Sequence, residues 1–408
     1  MLTTKQKCIK NEKGSIVTPQ GFQVSGLHTG VKRKRNDLGM IYSVQPANAA
    51  AVYTTNAIQA APLLVTKTSI AKEGKLQAVI VNSGNANACT GDQGMHDALD
   101  MQKMVADKWK LKNHYVAVAS TGIIGLHMDM DKIGSGIAKL QPGTKATDAA
   151  SFNESILTTD LQSKSTCYET IIDGKKITMA GSAKGSGMIE PNMATMLGFI
   201  TTDVAIEQQL LQETLQALTE KTFNCITVDG DTSTNDMVLV MANGMAENNP
   251  LTKAHPDWDA FVAMLEATCE DMAKMIAKDG EGATKLIEVE VHGAADSEDA
   301  RKVAKSVVGS SLVKTAVFGS DANWGRIIAA IGYSGATIDV HKIDAAIGHI
   351  TLLHQSQPVS FSETEASAYL EQEHIKINID LHMGDGTGKA WGCDLTYDYV
   401  RINASYRS

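Results

Sequence analysis

The chain has 408 residues, 43% apolar and 20% charged, enough for one large layered domain or two smaller ones and unlike a disordered polymer. Its net charge of −9 excludes a nucleic-acid scaffold, because phosphate binding needs a basic surface. No run approaches the roughly 18 apolar residues of a membrane span, and the opening MLTTKQKCIKNEKGS has no apolar signal core. Six scattered cysteines without a C-x-x-C pair fit reduced thiols, so a cytoplasmic protein with no nucleic-acid or membrane partner is expected.

In chain order, the short basic run Lys32 to Arg35 ends in Asn36 and Asp37 and reads as a solvated loop. Apolar strand patterns occupy 77–84 and 114–121, with helical periodicity over 95–109 between them. The stretch HMDMD, with His127, Asp129 and Asp131, reads as a polar loop or helix start because no second histidine lies at metal-ligand spacing. LQPGTKATDAASFN, 140–153, reads as a loop.

Strands are expected at 175–181, 195–206, 225–230 and 237–244, with a helix at 206–222. DGDTSTND, 229–236, is not a calcium loop, since Thr234 and Val240 stand where that loop needs Gly and Glu. A helix at 256–277 carries Phe261, Met264, Leu265, Thr268, Met272 and Met275 on one stripe, and a strand follows at 286–293. Asp296 or Ser297 caps a helix at 297–309, and a last strand covers 375–384. GDGTGKAWG, 384–392, lacks the first glycine and the hydroxyl residue of a P-loop and reads as a turn between strands. The mixed order of strands and helices favours an α+β fold, with helices stacked on largely antiparallel sheets.

Candidate chemistry centres on KGSGMIEPNMATMLGF, 184–199. Gly185 and Gly187 permit unusual dihedrals, Pro191 fixes its own φ, and the small pair Ala194-Thr195 leaves a carbonyl accessible. A threonine whose own amine is released by cleavage holds nucleophile and base on one residue, because an α-amino group titrates near pH 7.7 to 8.0. On spacing alone, a glycine-rich turn feeding a buried strand is the favoured reading of the same stretch. HYVAVASTGIIG adds a strand running into Ser120-Thr121-Gly122, where backbone N–H groups and a hydroxyl can converge on an oxyanion.

Ten blocks in order, among them VNSGNANACTG (81–91), STGIIG (120–125), TTD (158–160), KGSGMIEPNMATML (184–197), DGDTSTND (229–236), DGEGATKLIEV (279–289) and the terminal RINASYRS, resemble the ornithine acetyltransferase family, also called glutamate N-acetyltransferase or ArgJ, of arginine biosynthesis. The resemblance implies an α/β/β/α layered fold and a precursor that cleaves itself between Ala194 and Thr195 into chains 1–194 and 195–408, which stay together as α2β2. It implies Thr195 as nucleophile and Thr121 with Gly122 as oxyanion hole. Substrate contacts would come from Lys184, Thr195, Glu281, Asn403, Ser408 and one of Thr158 and Thr159, the choice between the last two remaining open.

Acetylornithine and glutamate are the implied substrates, acetyl-CoA is a possible co-substrate, and no resident cofactor or metal is implied. Charge agrees: acetylornithine carries a carboxylate and an ammonium, which Lys184 and Glu281 can match, although each is otherwise readable as half of a surface ion pair. The rival readings are a self-processing aminopeptidase or amidase that passes its acyl group to water, and a noncatalytic amino-acid-binding protein.

Overall fold

Residues 8–190 and 196–405 are described in a computed structural model. Ala194, Thr195 and Ser408 lie outside the described residues. The chain begins with β1 (Ile9–Lys10), β2 (Phe22–Leu27), β3 (Leu38–Tyr53), α1 (Ala61–Glu73), β4 (Lys75–Asn85), α2 (Gly91–Trp109), β5 (Val116–Ile123) and α3 (Met130–Lys139). It continues through α4 (Ala146–Ile156), β6 (Lys164–Ile172), β7 (Lys175–Lys184), β8 (Leu197–Thr202), α5 (Gln208–Thr219), β9 (Ile226–Thr227), β10 (Met237–Ala242) and α6 (Trp258–Lys278). Next come β11 (Leu286–Ala294), α7 (Ser297–Gly309), α8 (Ser311–Phe318), α9 (Trp324–Gly332), β12 (Asp344–Ile347), β13 (Ile350–His354) and β14 (Gln357–Pro358). The last elements are α10 (Glu363–Leu370), β15 (His374–Asp380), β16 (Gly386–Cys393) and α11 (Tyr397–Ala404).

Two compact units result, one of residues 8–185, 196–219 and 232–272, the other of 186–190, 220–231 and 273–405. These are divisions of contact, whereas the expected chains 1–194 and 195–408 divide the covalent polypeptide. In the first unit the described strands join in the order β1-β6-β7-β8-β10-β3-β4-β5, with β2 beside β3. Only β8 with β10 and β4 with β5 run parallel. The α+β class, with helices on largely antiparallel sheets, is therefore what this chain forms.

The apolar run of β4 is buried on both faces, as strands covered by helices must be. Val79 and Val81 join a core with Phe152, Ile156 and Phe199; Ala78 and Ile80 point into another with Met101 and Val105 of α2 and Ile133 of α3. The Phe152 and Phe199 rings meet edge to face at 5.9 Å.

The expected loop at 140–153 is corrected: α4 begins at Ala146, where the Asp148 carboxylate accepts the Lys145 N–H at 2.9 Å. Ala149, Phe152, Asn153 and Ile156 then share a buried face at helical spacing. Lys32 to Arg35 is a loop, as expected, with Arg33, Lys34 and Arg35 exposed, and only Lys32 is half-buried. The Lys32 ammonium donates to the Leu157 carbonyl at 2.9 Å, and burial pushes its pKa down to about 8, while Arg35 donates to the Asp160 carbonyl at 3.0 Å. Asp129 does start a helix, accepting the Lys132 N–H as the cap of α3.

In the second unit the described strands run β14-β13-β12-β15-β11-β16-β9, parallel only at β11 with β15 and β16 with β9. Asp296 caps α7 by accepting the Asp299 N–H at 2.9 Å, and Val303, Val307 and Val308 are buried. The stretch 384–392, expected as a turn, is mostly strand β16. Its glycines admit α7 at backbone distance: a Cβ on Gly388 would lie 2.6 Å from the Arg301 nitrogen. The strand expected at 225–230 is only the two residues of β9, because Asp229 and Gly230 turn the chain. Among the described residues no helix is long and apolar enough to cross a membrane.

Candidate active site

In the first unit, β4, α2 and β5 form a parallel crossover, so the ends of β4 and β5 emerge side by side. There Gly84 and Gly122 are register partners, with φ of +97° and +133°. A Cβ on Gly122 would stand 2.4 Å from the Gly84 carbonyl carbon, so only glycine closes this turn. Side-chain amides brace it: Asn82 donates to the Asn85 carbonyl at 2.8 Å, Asn85 to those of Leu126 and His127 at 3.1 Å, and Asn235 to those of Ala86 and Ser120 at 2.6 and 2.8 Å. The asparagine-rich blocks around 82–87 and 229–236 thus supply the scaffold of the turn.

Thr121 is buried, and its hydroxyl accepts a hydrogen bond from the buried Lys184 ammonium at 3.3 Å. A hydroxyl and a cation converge at a glycine-shaped strand end, an electropositive spot suited to developing negative charge. Behind it lies Asp160, fully buried. Its Oδ1 accepts from the Lys164 ammonium and from the Gly185 N–H, both at 2.7 Å, and its Oδ2 accepts the Thr158 N–H at 3.0 Å. Burial opposes ionisation of this carboxyl, but Lys184, Lys164 and these hydrogen bonds outweigh it and hold its pKa below the ordinary aspartate range. One carboxylate therefore ties the loop of Thr158 and Thr159 to the residue after Lys184.

In the second unit Glu281 follows α6 and is only 7% exposed. Its N–H donates to the Ser186 carbonyl at 3.0 Å, and its Oε2 accepts from the Asn403 amide of α11 at 2.8 Å. Among the described residues no cation pairs with it. Its loop is fixed by Asp394, which accepts the Thr284 N–H and hydroxyl at 2.8 and 2.5 Å and the Lys285 N–H at 2.9 Å. Thr396 closes the far side by donating to the Gly282 carbonyl at 2.7 Å.

The structure thus brings Lys184 to Thr121 beside Gly122, and Asn403 to Glu281. Thr158 and Thr159 are both half-buried on one turn, so neither is singled out. Sequence reading missed Asp160 and Asp394 as anchors. The first stands inside the TTD block four residues before Lys164, yet nothing local announces that both are buried or that Lys184 and Gly185 join them.

A glycine-bound strand end with a buried hydroxyl and cation, carried on an α+β scaffold, is the equipment of an acyl-transfer enzyme. The model of the ArgJ family matches residues 23–408, and the chain belongs to that family. It is 61% identical to the arginine biosynthesis bifunctional protein ArgJ of Halalkalibacterium halodurans over 98% of both chains. Its identity to the protein of the same description from Geobacillus kaustophilus is 60%, over 97% of this chain and 96% of that one. Among solved structures, arginine biosynthesis bifunctional protein argJ from Bacillus halodurans is 64% identical with a TM-score of 0.50, covering 51% of this chain and 98% of the solved one.

Proposed function

We propose that this protein is a self-processing acetyltransferase that moves the acetyl group of N2-acetyl-L-ornithine to L-glutamate. The observation that carries the reading is the buried Lys184–Thr121 pair beside Gly122, present in a chain of the ArgJ family. In maturation the Thr195 hydroxyl attacks the Ala194 carbonyl, the acyl group shifts from nitrogen to oxygen, and water hydrolyses the ester. Ala194 then ends in a carboxylate and Thr195 begins with an amine. That the solved Bacillus halodurans chain is matched almost whole by half of this one supports a polypeptide divided near its middle.

In turnover the Thr195 amine takes the hydroxyl proton as the oxygen attacks the acetyl carbonyl, the turn at Thr121 and Gly122 carries the oxyanion, and ornithine leaves with the proton. The glutamate amine attacks the acetyl-threonine ester, releasing acetylglutamate and restoring the hydroxyl. Lys184 suits the substrate carboxylate. A buried carboxylate whose described partner is an amide and not a cation suits the ammonium of ornithine, which supports Glu281, with Asn403 orienting it. Thr158 or Thr159 and Ser408 complete the contacts.

The word bifunctional in the relatives' names favours acetyl-CoA as a second acetyl donor to glutamate. The reading needs no resident cofactor, and it places the enzyme in the cytoplasm as α2β2. Thr195→Ala is the test: the variant is expected to stay at 43.5 kDa by intact mass and to make no acetylglutamate, while the wild type splits and does. Acetate without acetylglutamate would identify an amidase instead, and an unsplit, inactive wild type a binding protein.

A further inference from the structure

We propose that Asp229 is a positioning residue for maturation, clamping the segment that leads into the bond cleaved; this rests on the self-processing reading above. Met188 lies at φ +53°, a region side chains of L-residues disfavour, and its side chain is 46% exposed, so packing does not hold it there. Asp229 does: its Oδ2 accepts the Met188 N–H and its Oδ1 the Ile189 N–H, both at 2.8 Å. The Ile189 carbonyl accepts the Val228 N–H at 2.7 Å, and the Ile189 side chain is fully buried. One carboxylate and the residue before it thus fix a strained turn five residues ahead of Ala194.

The same carboxylate is reached from the end of the chain. The Tyr399 hydroxyl on α11 donates to Asp229 Oδ2 at 3.3 Å, and one helical turn on, Asn403 donates to Glu281, whose own N–H holds Ser186. Tyr399 and Asn403, four residues apart, share a helix face, so α11 grips segment 186–189 through two acids. Maturation is therefore coupled to docking of the C-terminal helix: a chain whose last residues are not yet in place lacks part of the clamp on its own cleavage segment.

The experiment follows freshly translated full-length precursor as it splits, by denaturing gel and intact mass, with thermal melts of each variant. Asp229→Asn retains the size of the side chain but sets an NH2 against one of two N–H donors, and should slow cleavage about tenfold or more, the effect of losing a hydrogen bond to a charged acceptor. Tyr399→Phe should slow it roughly threefold, as for a weaker bond. Met188→Gly added to Asp229→Asn should recover much of the rate, since glycine accepts positive φ without cost. Cleavage of Asp229→Asn at the wild-type rate, or slow cleavage that glycine does not rescue, overturns the proposal; so does Tyr399→Phe at the wild-type rate for the coupling to α11. A wild type that never splits overturns the self-processing reading itself, and is told apart by that control.

Discussion

Replacing Asp160 by asparagine tests the arrangement behind the Lys184–Thr121 pair. Asp160 and Lys164 are 0% and 1% exposed and 2.7 Å apart, so the substitution takes the carboxylate away from a buried ammonium. Removing one partner of a buried pair costs about 3–5 kcal/mol. At roughly 2–4 °C per kcal/mol for a unit of this size, the midpoint of thermal unfolding should fall by about 6–20 °C. The amide can serve Lys164 and Gly185 with its oxygen only by aiming its NH2 at the Thr158 N–H, so KM for acetylornithine should rise even where the protein remains folded. Asp160→Asn with Lys164→Met removes both charges and should recover most of the midpoint but not the KM.

The pH dependence has a definite sign. A carboxyl held below its ordinary pKa stabilises the fold fully above the unfolded value, about 3.9, and loses that contribution as pH falls toward the folded value. The gap between wild type and Asp160→Asn should therefore be constant near neutrality and narrow below about pH 4. Calorimetry across pH reads both effects. An unchanged midpoint at pH 7, or a double variant no more stable than the single one, would refute the reasoning.

Gly122→Ala forces a Cβ against the Gly84 carbonyl carbon at 2.4 Å in a region of positive φ, so the turn must open; turnover should drop about 100- to 1,000-fold, the range for a lost oxyanion donor, measured as initial rate of acetylglutamate formation. Glu281→Gln keeps an acceptor for Asn403 but removes the charge, and should raise KM for acetylornithine about tenfold or more while the precursor still splits, read by saturation kinetics beside intact mass.

Elements whose burial repeats at one period were legible from residues alone. The stripe from Phe261 to Met272 is buried as its spacing implies, and the apolar run of β4 is a strand covered on both faces. The sixteen-residue β3 was not legible. Gln45-Pro46-Ala47 interrupts its alternation, and in the structure the register with β4 shifts between Tyr42 and Ala47, where proline has no N–H to give to a ladder. In α4 the Pro142-Gly143 turn hid a helix that starts three residues later.

The strand-end turn was readable because its glycine and hydroxyls are neighbours in sequence. Asp160 and Asp229 were not: Asp160 joins its near neighbours Thr158 and Lys164 to Gly185, and Asp229 reaches Met188 and Ile189, both far off in the chain. Asp229 opens a block that does not match a calcium loop, and its acceptors are spent on backbone N–H groups that no local pattern reveals.

The order of strands in the first unit bears on how the protein can be made. β8 and β10 lie after Thr195, β7 and β3 before Ala194, and β8 and β10 stand together between those two, each bonded to one of them along its full length. In the self-processing reading proposed above, breaking the Ala194–Thr195 bond would turn the middle of the sheet into an interlocked joint between two polypeptides. Neither half made by itself would have a closed sheet; each would expose raw hydrogen-bonding edges flanked by apolar residues, the condition for aggregation. On that reading, genes for the two halves expressed apart and mixed should not give the folded protein, and the two subunits should exchange only by unfolding.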